Sequence, residues 1–187
     1  MSRRGTAGDG PGAPIWSPWG APGVAEPIQI FVTGGTFDKE YDELTGRLSF
    51  RATHLGEMLR LGRCRLDLRV ETLMMIDSLD MTDLQRATIV DRCRECDADR
   101  IVLTHGTDTL AETARALVAA RLARTVVLTG AMVPYAFGSS DGLFNLGSAL
   151  SFAQVLPHGV WVAMNGRALP GAGVRKDRAT GVFGEGP

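Results

Sequence analysis

Five short runs of β-forming residues, 28–32, 66–76, 101–104, 125–129 and 159–164, each end in a cluster of turn and polar residues. Most of these clusters lead into stretches with helical spacing. Strands that alternate with helices are joined by crossovers rather than tight turns. The pattern therefore predicts a mostly parallel sheet with helices on both faces. The expected fold class is a three-layer α/β domain, Rossmann-like or flavodoxin-like. In such sheets ligands bind beyond the carboxyl ends of the strands, so the polar turns are where the chemistry should lie.

The run 101–104 enters Thr104-His105-Gly106-Thr107-Asp108-Thr109, and an amphipathic stretch begins at Leu110. Thr109 with Glu112 reads as a capping box for that helix. One hydroxyl suffices for a cap, so Thr107 and Asp108 are candidates for function. His105, beside Gly106, reads as a structural hydrogen-bonder. The first strand runs into Thr33-Gly34-Gly35-Thr36, where glycines permit a tight turn and close approach of a ligand to the backbone. No G-x-G-x-x-G is present, and Lys39 does not complete a P-loop. Residues 37–51 are polar and loop-like around 41–46, fitting a lid or an ordinary surface loop equally well. The second strand ends in Asp77-Ser78-Leu79-Asp80, followed by a capping box from Thr82 to Gln85. Ser78 is either a ligand contact or a turn-former.

With 187 residues and 44% hydrophobic content, the chain can bury one sizeable core. A formal net charge of −1 argues against nucleic acid or an anionic membrane as the main partner. No apolar run approaches the roughly 20 residues of a spanning helix. Three cysteines, an odd number, suggest no disulfide framework, which makes a reducing cytoplasm the default location. Cys93 and Cys96 continue the apolar face of Ile89 at helical spacing, so core packing is expected of them and no metal site. Residues 1–26 are rich in Gly, Pro and Ala and are expected to be a disordered extension, leaving 27–187 as one α/β domain. No apolar segment follows Arg3 and Arg4 as a targeting signal would require, and Trp16 and Trp19 stand out as residues able to dock on the body or a partner.

Hydroxyls, a carboxylate and backbone N–H groups gathered at strand ends suggest acyl transfer, meaning attack on an amide or ester. No strand runs directly into a Gly-x-Ser-x-Gly elbow, which argues against a serine α/β-hydrolase. Thr33-Gly-Gly-Thr36, His105-Gly-Thr-Asp-Thr109, Thr129-Gly-Ala-Met132 with Asp141-Gly142 and Asn145, and Met164-Asn165 together resemble the bacterial-type L-asparaginase family. The likeness covers roughly residues 28–180, in order. It implies the α/β N-terminal domain of that family, with Thr36 as nucleophile. It implies that Thr107 and Asp108 position the attacking group and hold the substrate's α-amino group, and that Ser78 binds its α-carboxylate. Gly35 and Gly106 fall in the substrate-contacting turns, and Tyr41 corresponds to the lid tyrosine, at a shorter spacing from Thr36 than in the family.

The resemblance also implies a catalytic lysine on the helix after Asp141-Gly142, yet residues 141–160 contain none. The chain's lysines are Lys39 and Lys176, and Lys176, in a basic run beyond the last strand, is not expected to fill that role. Leu79 stands where the family has Gln, and the chain stops before the C-terminal domain that completes the neighbouring site in family dimers. The expected function is hydrolysis of the side-chain amide of asparagine or a related small molecule, releasing ammonia with no metal or cofactor. The alternative is a binding protein for an acidic amino acid or amide with little or no turnover. A homo-oligomer is expected, because the surface a second domain covers would otherwise be exposed.

Overall fold

A computed structural model describes residues 26–186. The expectations for the first 25 residues, Trp16 and Trp19 included, lie outside it. Along the chain run β1 (Ile28–Gly34), β2 (Lys39–Asp42), β3 (Arg47–Phe50), α1 (Leu55–Leu61), β4 (Leu68–Ile76), α2 (Asp83–Glu95) and β5 (Arg100–Thr104). There follow α3 (Leu110–Ala119), β6 (Thr125–Thr129), α4 (Gly142–Val155), β7 (Gly159–Met164), β8 (Arg167–Pro170), β9 (Val174–Lys176) and β10 (Phe183–Glu185).

The main sheet has the order β4-β1-β5-β6-β7-β8. The first five strands are parallel and β8 is antiparallel to β7. Successive side chains of a strand point to opposite faces, and both faces are apolar. Phe31, Ile101, Leu103, Val126, Leu128 and Val162 meet Ile89, Cys93, Leu110, Ala114 and Leu117 of α2 and α3. Ile30, Val32, Val102, Val127 and Ala163 meet Leu55 and Met58 of α1 and Leu146, Ala149 and Leu150 of α4. This is the mostly parallel three-layer α/β fold expected from the alternation of strands and helices.

Local signals explain several boundaries. Thr82 and Gln85 form a complete reciprocal capping box at the start of α2. Asn165 and Gly166 both take positive φ, 53° and 76°, and turn β7 directly into β8. Cys93 and Cys96 are buried as core residues, and burial pushes the Cys93 thiol up to about 12. Among the described residues no group of three or more His, Cys, Asp and Glu side chains is placed to hold a metal ion.

Two expectations need correction. Residues 37–51 are not a plain loop, because β2 and β3 pair as an antiparallel hairpin from Lys39↔Phe50 to Asp42↔Arg47. Asp42 closes its tip by accepting the Leu44 and Thr45 N–H groups. Thr109 makes no side-chain cap for α3. Its hydroxyl instead donates to the Ser78 carbonyl at 2.8 Å, and Glu112 turns to Arg86 at 3.1 Å. The local pattern was sound, but tertiary partners took both side chains.

Candidate active site

The chain leaves β1 for β4 on one side and then crosses to β5 on the other, so the strand order reverses around β1. Crevices at such switch points are where α/β sheets bind ligands. The register places Val32 beside Thr104, so the turns after β1 and β5 emerge next to each other. The Thr33 hydroxyl binds them together by donating to the Thr104 carbonyl at 2.8 Å.

The two turns touch backbone to backbone. Gly35 has φ 85°, and a Cβ there would stand 2.4 Å from the Gly106 nitrogen. A Cβ on Gly106 would stand 2.6 Å from both Cβ and Oγ of Ser78. Gly35, Gly106 and Ser78 are thus brought together, and what the two glycines visibly provide is this close packing. Thr36, half-buried, opens a short 3-10 turn directly after Gly35.

Ser78 is buried at the end of β4, where its Oγ accepts the Thr109 N–H at 3.4 Å and keeps its own proton to donate. Lys39 forms an ion pair with the neighbouring Asp77, tying the base of the β2–β3 hairpin to the Ser78 turn. Burial raises the Asp77 carboxyl, but Lys39 and the Leu79 N–H outweigh it and hold the group below its usual range. Tyr41, on β2 of the same hairpin, is largely exposed. Leu79 is exposed beside Ser78.

Lys176 overturns the expectation drawn from its place in the chain. Its Nζ donates to Thr107 Oγ1 at 2.8 Å and to Asp108 Oδ1 at 2.8 Å. Its side chain is 11% exposed and that of Asp108 42%, while Thr107 is buried. Lys176 lies on β9, which pairs with β10 and packs against α3. Val174 and Phe183 anchor this hairpin in the core and return a distant segment to the HGTDT turn. The missing ammonium is therefore supplied from beyond β8 rather than from α4. The one hint in the sequence is apolar Val174 two positions before a lysine, a strand-like alternation too short to be decisive.

Further out, His105 is fully buried. Its Nδ1 donates to the Gly106 carbonyl and its Nε2 accepts from the Thr113 hydroxyl, both at 2.8 Å. Burial lowers its pKa to about 4, so the ring is neutral and holds the turn as a structural hydrogen-bonder.

A threonine hydroxyl on one turn, a lysine–threonine–carboxylate cluster on the next and a serine beside both make a centre suited to acyl transfer from an amide. The family model "Asparaginase, N-terminal" matches residues 27–183. The chain is 38% identical over 166 residues to L-asparaginase 2 of Escherichia coli, covering 83% of this chain and 47% of that protein. It is 33% identical over 164 residues to the L-asparaginase of Thermococcus kodakarensis, covering 83% and 49%. The structure of L-asparaginase I from Vibrio cholerae superposes with a TM-score of 0.75 at 28% identity, over 86% of this chain and 51% of that one. The chain thus spans about half the length of the curated relatives it matches. By family model, sequence and fold together, this chain belongs to the asparaginase family and corresponds to its N-terminal part.

Proposed function

We propose that the chain is an amidohydrolase that releases ammonia from the side-chain amide of asparagine or a closely related small amide. The observation that carries this reading is the Thr107–Lys176–Asp108 cluster, set beside the glycine turn that presents Thr36. The Thr36 hydroxyl attacks the amide carbon and forms an ester, while the leaving nitrogen takes a proton and departs as ammonia. Thr107 and Lys176 move the protons of that step. Water then cleaves the ester, releasing the acid and restoring the hydroxyl. Asp108 holds the substrate ammonium and Ser78 donates to its carboxylate, while Tyr41 closes over the site on its hairpin. No metal or cofactor is required by this chemistry.

A second assignment of the nucleophile has its own support, because Lys176 touches the Thr107 hydroxyl. Ammonia release across a panel of free and derivatised amides tests the activity, and the two threonine variants separate the assignments. Thr36→Ala is expected to lose turnover by roughly 10⁴-fold while keeping aspartate binding, with Thr107→Ala less affected. Near-normal turnover in Thr36→Ala transfers the role to Thr107. Turnover on no amide, together with calorimetric binding of aspartate, identifies a binding protein instead.

The assembly is proposed to be a homo-oligomer. Leu61 and Phe144 are large apolar side chains left exposed on α1 and α4. Light scattering that shows a monomer at tens of micromolar counts against it. A reducing compartment fits the free Cys64, Cys93 and Cys96 thiols.

A further inference from the structure

Asn145 is fully buried on α4 and touches none of the reacting groups, yet its amide joins three separate segments behind the site. Its Nδ2 donates to the Gly130 carbonyl at 2.9 Å and to Asp141 Oδ2 at 2.9 Å. Its Oδ1 accepts the Asn165 N–H, the first residue after β7, at 2.9 Å. Asp141 in turn accepts the N–H groups of Met132 and Val133 at 2.9 and 3.0 Å. The loop 130–133 after β6 is therefore held along its length by two side chains at the start of α4.

That loop lies against Thr107 and against the hairpin that carries Lys176. A Cβ on Gly130 would stand 2.6 Å from the His105 carbonyl oxygen and 3.1 Å from Cγ2 of Thr107, so the Gly130 backbone lies against the Thr107 side chain. The Met132 methyl would stand 2.9 Å from a Cβ on Gly181, in the connection between β9 and β10. One loop thus braces the threonine on one side and the hairpin that carries the lysine on the other.

We propose that Asn145 is a positioning residue for the Thr107–Lys176 contact. It fixes the Gly130 carbonyl and the Asp141 carboxylate, and thereby sets the rotamer of Thr107 and the approach of the β9–β10 hairpin. A buried amide with donors and acceptor all engaged holds one geometry, because every alternative leaves a polar group unpaired in the core. The kinetic part of this inference rests on the amidohydrolase reading; the geometric part does not.

Asn145→Leu is close in volume and removes every hydrogen bond. It is expected to lower kcat for ammonia release by about 10²-fold while changing KM less than about threefold. Lys39 and Lys176 are the chain's two lysines, so ¹³Cε-lysine NMR reads Lys176 against an internal control. The Lys176 resonance should move and the Lys39 resonance should stay. Where the Leu variant fails to fold, Asn145→Ala carries the same readouts. A folded variant with unchanged kcat and an unmoved Lys176 resonance overturns the proposal. Wild-type protein inert toward every amide would defeat the functional reading, and the Lys176 resonance would still decide the positioning role.

Discussion

Lys176 Nζ lies 2.8 Å from Thr107 Oγ1, although 69 positions separate them in the chain. The contact also reaches Asp108, so one side chain from β9 serves two adjacent polar residues of the turn after β5. An ammonium partly withdrawn from water, between a hydroxyl and a carboxylate, is placed to pass a proton.

Replacing Lys176 tests that placement directly. Lys176→Met is expected to reduce kcat for amide hydrolysis by about 10²-fold or more. Lys176→Arg should not restore it, because a guanidinium keeps its proton at working pH. Steady-state ammonia release measures both, and wild-type kcat in the Met variant would remove Lys176 from the mechanism.

Thr109 should behave as a site residue and not as a helix cap. Thr109→Val keeps the shape but loses the hydroxyl that holds the Ser78 carbonyl. We expect KM to rise about tenfold, since displacement of Ser78 weakens the carboxylate binding proposed for it. By contrast, Thr82→Ala breaks a real capping box and should cost about 1 kcal/mol in denaturant melts without altering KM. An unchanged KM in Thr109→Val would return that residue to a purely structural part.

Gly35→Ala is expected to damage the site and the fold together. Its φ of 85° disfavours a side chain, and the added methyl would meet Gly106 backbone at 2.4 Å, where nothing flexible can give way. A loss of about 2 kcal/mol or more is expected from urea melts. Wild-type stability would mean that the two turns separate more easily than their contact implies.

His105 sets a pH signature. Its folded pKa, about 4, lies below the ordinary 6.5, so the unfolded chain binds the extra proton between those values. Stability from this group is fully present above pH 6.5 and falls as pH drops toward 4, by on the order of 3 kcal/mol. Asp38 acts in the opposite sense: burial raises its carboxyl, so acidification favours its folded form. Comparing wild type with His105→Asn isolates the histidine. The variant's melts should lack that acid-side decline, and parallel curves would show that the imidazole is not held neutral.

The sheet and its sidedness were legible because strand periodicity, glycine turns and helix spacing are local. The placing of Thr36, Ser78, Thr107 and Asp108 at one end of the sheet was legible as well, since each ends or follows a strand whose carboxyl end must point one way. Lys176 was not, because β9 is three residues long and its burial depends on Phe183 closing over it from β10. Thr109 failed for a related reason. A capping pattern records what a hydroxyl can do locally, while Ser78, 31 positions earlier, decided what it does.

The late position of the β9–β10 hairpin has a consequence for synthesis. A chain emerging from the ribosome presents Thr36, Ser78, Thr107 and Asp108 long before Lys176, and Phe183, which anchors the hairpin, later still. Under the proposed roles, each nascent molecule passes through a stage in which the groups assigned to hold substrate are made and the lysine assigned to handle protons is not. On the proposed reading, docking of the β9–β10 hairpin is the step that adds the lysine, and a chain stalled before it would hold ligand without consuming it.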